Sequence, residues 1–214
     1  PLTLESVSQV QEVVTEYIED VKQQGIPHSV IMKMAESAKN LADHSMAVAH
    51  YAVMIGLVLG QSDQVTLEIL FQGALFHDYG KIKIPSDILK DPDSYACQQA
   101  IEKHPINGAS LLAEVDGIRP EVLKIIEEHH ERFDGKGFPK GVKGSEIHTL
   151  TNTVSMANRF ENVLYENRNR GEEAKFRAAI KEIEMDNGRQ FNPEFIERTV
   201  ETLKLAKGFY YEET

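Results

Sequence analysis

The chain has 214 residues, 41% of them hydrophobic, enough to bury one full core, so one main domain is expected. Its 34 acidic against 23 basic side chains leave a formal charge of -11, which repels long nucleic acids and excludes duplex DNA as a natural partner. A single cysteine, Cys97, rules out an intrachain disulfide, and no apolar run approaches the ~18 to 20 residues that span a bilayer.

A small phosphorylated ligand remains compatible with the acidic balance, because bound metal ions reverse the local potential of a site. With no signal-peptide pattern at its start, the chain reads as cytoplasmic. It opens on Pro1 and not on Met, so a processed chain or a segment of something longer is expected, with room for a regulatory domain in the parent.

Leu4, Val7, Val10, Val14, Tyr17, Ile18 and Val21 recur at spacings of three and four and predict an amphipathic helix over 4 to 22, ended by Gly25 and Pro27. This helix reads as a leader or linker, residues 1 to 27, before a main domain over 28 to 214. Helices are expected next over 29 to 40 and over 42 to 59, the latter closed by Gly60, with Asp63 or Ser62 capping the one that follows.

That helix, over 65 to 78, is apolar on most of its circumference through Leu67, Ile69, Leu70, Phe71, Ala74, Leu75 and Phe76. It should be the central buried helix, and it carries His77 and Asp78 at its end. Gly80 and Pro85 break the pattern, and further helices are expected over 93 to 113, 119 to 131, 150 to 166, 172 to 186 and 193 to 206, with a Gly-rich loop over 132 to 145. No segment alternates with period two, so the fold class is all-α.

Two adjacent pairs, His77-Asp78 and His129-His130, exceed what a core or surface histidine needs. Neighbouring residues on a helix point about 100° apart, so a pair can serve two metals, or one metal and its water. Imidazole nitrogen with carboxylate oxygen suits Fe or Mn first and Zn or Ni second, and the lack of cysteines argues against a closed structural zinc site. Two divalent ions about 3.5 to 4 Å apart would stabilise both the attacking and the departing oxygen of a phosphoryl displacement, with Asp78 as the natural bridge.

An isolated HD or HH dipeptide carries little weight, and the order of motifs decides. The stretches LFHDYGKIKIPSDIL (75 to 89), KHPINGASLL (103 to 112) and EEHHERFDGKGFPKGVKGSEI (127 to 147) resemble those of the HD-GYP domains, bacterial phosphodiesterases of the HD superfamily that act on cyclic dinucleotides. The resemblance covers residues 28 to 205 and implies an all-helical bundle whose central helix carries the HD pair.

It also implies a ligand set. The first metal would take His44, His77, Asp78 and the residue at the family's late Asp, which here is Asn158; the second would take Asp78, His104, His129 and His130. Asn158 can ligate through its amide oxygen but carries no charge, so the first metal should be held more weakly. His28, His50 and His148 fall outside the motifs and suit surface or capping roles. Asn40 stands where members with a third metal carry Glu, so two ions at most are expected.

Phe138 replaces the eponymous tyrosine and keeps a ring without its hydroxyl donor, and residues 166 to 170 keep arginines without the family's pattern. The implied reaction is hydrolysis of cyclic di-GMP to a linear dinucleotide, and on to GMP, with a metal-bound hydroxide as nucleophile and Asp78 and Lys81 in catalytic roles. Lys81 would donate to a phosphate oxygen, and Gly135, Lys136, Gly137 and Phe138 would line the substrate, with Asp134 orienting a ligand histidine. The substitutions keep two alternatives open: hydrolysis of 3′,3′-cyclic GMP-AMP, or a degenerate domain that binds metal or nucleotide and signals through partner proteins.

Overall fold

A computed structural model of the chain describes residues 4–24 and 41–206. Eight α-helices lie among them: α1 (Leu4–Gln24), α2 (Leu41–Val58), α3 (Gln64–Phe76), α4 (Tyr95–Ala113), α5 (Pro120–Glu128), α6 (Thr149–Glu166), α7 (Glu172–Met185) and α8 (Pro193–Ala206). Short 3-10 turns occupy Tyr79–Lys83, Ile88–Lys90 and Gly144–Glu146. The described residues contain no strand, only an isolated bridge between Asn187 and Phe191. The helix expected over 29 to 40, and with it His28 and Asn40, lies outside the described residues.

The apolar girdle of α3 sets the architecture. Leu67, Ile69, Leu70, Phe71, Ala74 and Phe76 are all buried, and α3 packs against α1, α2, α5 and α6. Its start is fixed by Asp63, whose carboxylate accepts from the Thr66 amide at 2.9 Å. Val14 and Ile18 of α1 are fully buried in the same core, each worth about 1.5–3 kcal/mol of burial, and Thr15 donates to Glu68 of α3 at 3.1 Å. Arg159 ties α6 to α7 through Glu182 and Asp186 at 2.8 and 3.1 Å.

Two helix ends differ from expectation. α3 stops at Phe76 and not at 78, and α5 stops at Glu128 and not at 131. His77 and His129 are the capping residues, and the chain turns tightly beyond them: the Lys81 amide donates to the Asp78 carbonyl and the Glu131 amide to the Glu128 carbonyl. Among the described residues, no helix is long and apolar enough to cross a membrane.

Candidate metal centre

Three of the histidines reach the centre by one local device. His77 Nδ1 donates to the Ala74 carbonyl at 2.6 Å, His104 Nδ1 to Ile101 at 2.5 Å and His129 Nδ1 to Ile126 at 2.8 Å, each three residues back. Ala74 and Ile126 lie in the last turns of α3 and α5, where carbonyls run out of helical partners. Ile101 is mid-helix, but Pro105 has no N–H to offer it, so the His104-Pro105 pair creates its own acceptor. In all three the proton is fixed on Nδ1, leaving the Nε2 lone pair for a metal.

Asp78 lies at the focus of these rings. Its Oδ1 is 3.1 Å from His104 Nε2 and 3.9 Å from His129 Nε2, and its Oδ2 is 3.5 Å from His77 Nε2 and 3.9 Å from His44 Nε2. Two potential ligand sets result, Asp78 with His104, His129 and His130, and Asp78 with His44 and His77, the ligand atoms of each lying within 4.8 Å of one another.

Close approach of α4 to the turn after Asp78 makes this possible. A Cβ on Gly80 would lie 1.9 Å from the His104 carbonyl oxygen and 2.6 Å from the Gly108 amide nitrogen, so no larger residue fits there.

The donor set fits divalent metal. His104 Nε2 and His129 Nε2 face each other at 3.2 Å with their ring protons committed elsewhere, which sets lone pair against lone pair. His77 Nε2 and Asp78 Oδ1 are buried with no hydrogen-bond partner. Such groups are costly unless a cation satisfies them.

The protonation states agree. Burial holds the imidazole of His77 down to about 4 and that of His130 to about 3, and holds His129 well below its usual value, so these rings are neutral near pH 7. Burial alone would raise the Asp78 carboxyl, but the Lys81 ammonium 2.6 Å away helps hold it well below the usual carboxylate range.

The His44 ring is anchored differently. Its Nδ1 pairs with Glu161 Oε2 of α6 at 2.5 Å. Asn158 lies one turn before Glu161, buried, and its Oδ1 accepts from Asn162 at 2.8 Å. Ser155, another turn back, donates to the His129 carbonyl at 2.7 Å, so Asn158 sits between two residues of α6 that touch the centre. Neither Glu161 nor Ser155 was singled out by sequence. Glu161 left one sign, a carboxylate and the one charged residue among the buried positions of α6.

The Gly-rich loop closes over the other side. Phe138 stacks on the His130 ring, centroids 4.5 Å apart and planes 24° apart. Glu131, buried and also unflagged by sequence, accepts from the Lys140 and Gly141 amides at 2.6 and 3.1 Å and pins the loop. Gly137 passes so near that a Cβ would meet the His130 carbonyl at 2.5 Å, while Gly135 has a φ of 73°.

Lys136 is exposed, its amide donating to Asp134. Asp134 does not orient a histidine: its carboxylate is paired with Arg132 at 3.0 and 2.9 Å, which draws it away from the rings. Lys81 Nζ is 2.6 Å from Asp78 Oδ2, its side chain one-third exposed. His148 caps α6, accepting from the Leu150 amide, and His50 donates to the Met46 carbonyl beside Tyr17, away from the centre. In the altered arginine segment, Arg168 lies over the Tyr165 ring at 4.2 Å.

The family model described as HD domain matches residues 12–195. A cyclic di-GMP phosphodiesterase of Thermotoga maritima is 32% identical over 171 residues, covering 77% of this chain and 44% of that protein. A 3′3′-cGAMP-specific phosphodiesterase of Vibrio cholerae is 31% identical over 124 residues, covering 56% of this chain and 26% of that protein. The chain thus spans less than half the length of these relatives. Among solved structures, an HDG"Y"P protein from Bdellovibrio bacteriovorus superposes with a TM-score of 0.77 at 25% identity, covering 94% of this chain and 65% of that one. With this match, the all-helical fold and the histidine-aspartate cluster, the chain belongs to the HD domain family, among its HD-GYP members.

Proposed function

We propose that the chain is the catalytic domain of a metal-dependent phosphodiesterase that opens cyclic di-GMP to a linear dinucleotide, using two divalent ions. The observation that carries this reading is the pair of ligand sets sharing Asp78, whose two oxygens face opposite groups of imidazoles. One set is His44, His77 and Asp78, to which we add Asn158 as a proposed fourth ligand, and the other is Asp78, His104, His129 and His130. Two divalent ions, Fe or Mn ahead of Zn or Ni, would supply Lewis acidity toward the phosphoryl oxygens and activate water.

The chain's residues do the rest. Neutral, buried imidazoles keep their Nε2 atoms aimed inward without rearrangement. Asp78, ionised, bridges the two halves. Lys81 turns its one-third-exposed side chain from Asp78 to a phosphate oxygen of the substrate. The loop from Gly135 through Lys136 and Gly137 to Phe138 borders the substrate and screens the His130 side from water. Action in the cytoplasm, on a chain joined to a regulatory domain, completes the proposal.

A second reading, hydrolysis of 3′,3′-cyclic GMP-AMP, is favoured by Phe138, which removes a hydroxyl from the recognition loop. Incubating the Mn- or Fe-loaded protein with each dinucleotide and separating the products tests both. A linear product from cyclic di-GMP supports the main reading. A product from the mixed dinucleotide alone replaces it with the second, and no product with both metals bound leaves a non-catalytic binding domain.

A further inference from the structure

Glu161 is 1% exposed, and its ion-pair partner is His44. Its second oxygen, Oε1, is buried with no hydrogen-bond partner. A buried carboxylate so thinly compensated is costly to keep and calls for a use. Nearby Tyr51 adds no anion, since burial first and the charge of Glu161 second push its phenol upward.

The geometry defines that use. His44 presents Nε2 toward Asp78 Oδ2 at 3.9 Å and Nδ1 toward Glu161, so Glu161 stands across the ring from the centre. It therefore acts through His44. The other three anchored rings each donate to a neutral backbone carbonyl. His44 alone among these four has a charged acceptor, and it belongs to the half in which Asn158 offers an uncharged amide.

We propose that Glu161 is a positioning residue that locks the His44 ring and lends the first metal site, through the imidazole, negative charge that Asn158 lacks. This rests on the two-metal reading above. A carboxylate behind a ligating imidazole raises its basicity, and losing such a partner typically costs about 10- to 100-fold in metal affinity.

The test compares wild type, E161Q, E161D and the double variant N158D/E161Q, each Mn-loaded, by elemental analysis across a chelator series and by the electron paramagnetic resonance spectrum of the bound Mn. E161Q is expected to release one ion at about 10- to 100-fold lower chelator while keeping the other. Its spectrum should change from that of a coupled pair to that of an isolated ion. The retained ion reports that the variant is folded. E161D or the added Asp of N158D/E161Q should restore the second ion.

An E161Q protein with both release steps unchanged would overturn the proposal while leaving the two-metal reading intact. So would a loss that neither E161D nor N158D repairs, since that marks a packing role. A wild-type protein that binds no metal would remove the reading beneath it.

Discussion

The two halves of the centre are built on different principles. The half with His104 and His129 is assembled locally: each ring is fixed by a carbonyl three residues earlier, and close packing of Gly80 on α4 brings the rings to Asp78. The half with His44 joins the locally fixed His77 to a ring assembled at long range, since His44 is held by a glutamate 117 residues away, and its proposed last ligand, Asn158, is an amide. A locally fixed ligand is oriented wherever its helix forms. A ligand fixed at long range depends on the packing of α2 against α6. A tight ion is therefore expected in the His104 half and a looser one in the His44 half.

The largest effect should come from the residue the halves share. Asp78→Ala is expected to lose both ions by elemental analysis and to bring dinucleotide hydrolysis to background. Next is Gly80→Ala, which drives a methyl into the His104 carbonyl. It should lower stability by about 1–3 kcal/mol in denaturant unfolding and weaken the His104 half before the His44 half.

His77→Ala should strip at least the ion of the His44 half. Asn158→Asp works in the opposite direction and should tighten that ion by about 10-fold, corresponding to about 1.4 kcal/mol; unchanged metal content would contradict the place given to residue 158. Smallest is Phe138→Tyr, which keeps the stack on His130 and restores a hydroxyl. Release of both ions should shift less than about 3-fold, with any gain appearing in KM and not in kcat.

Much of this was legible in the sequence, for physical reasons. Apolar spacing and the Gly and Pro punctuation place every described helix, and α3 is central because an all-round apolar helix has to be buried. Periodicity does not mark where a helix frees its last carbonyls, so α3 and α5 end two and three residues earlier than expected. The order of histidines and the HD pair gave the residues that gather at Asp78. That order does not mark His104-Pro105 as a self-anchoring unit, because the anchor is the Ile101 carbonyl of the backbone. Glu161 escaped because its partner lies on another helix, and Asp134 misled because the nearby Arg132 captures it.

The most direct test of the unequal two-metal centre is the metal content of the Mn-loaded wild-type protein followed through a graded chelator titration. The account predicts two ions per chain, released in two separate steps, with the second step lost in His104→Ala and the first in His77→Ala. A single ion per chain, or two ions leaving together in one step that both variants affect alike, would contradict it.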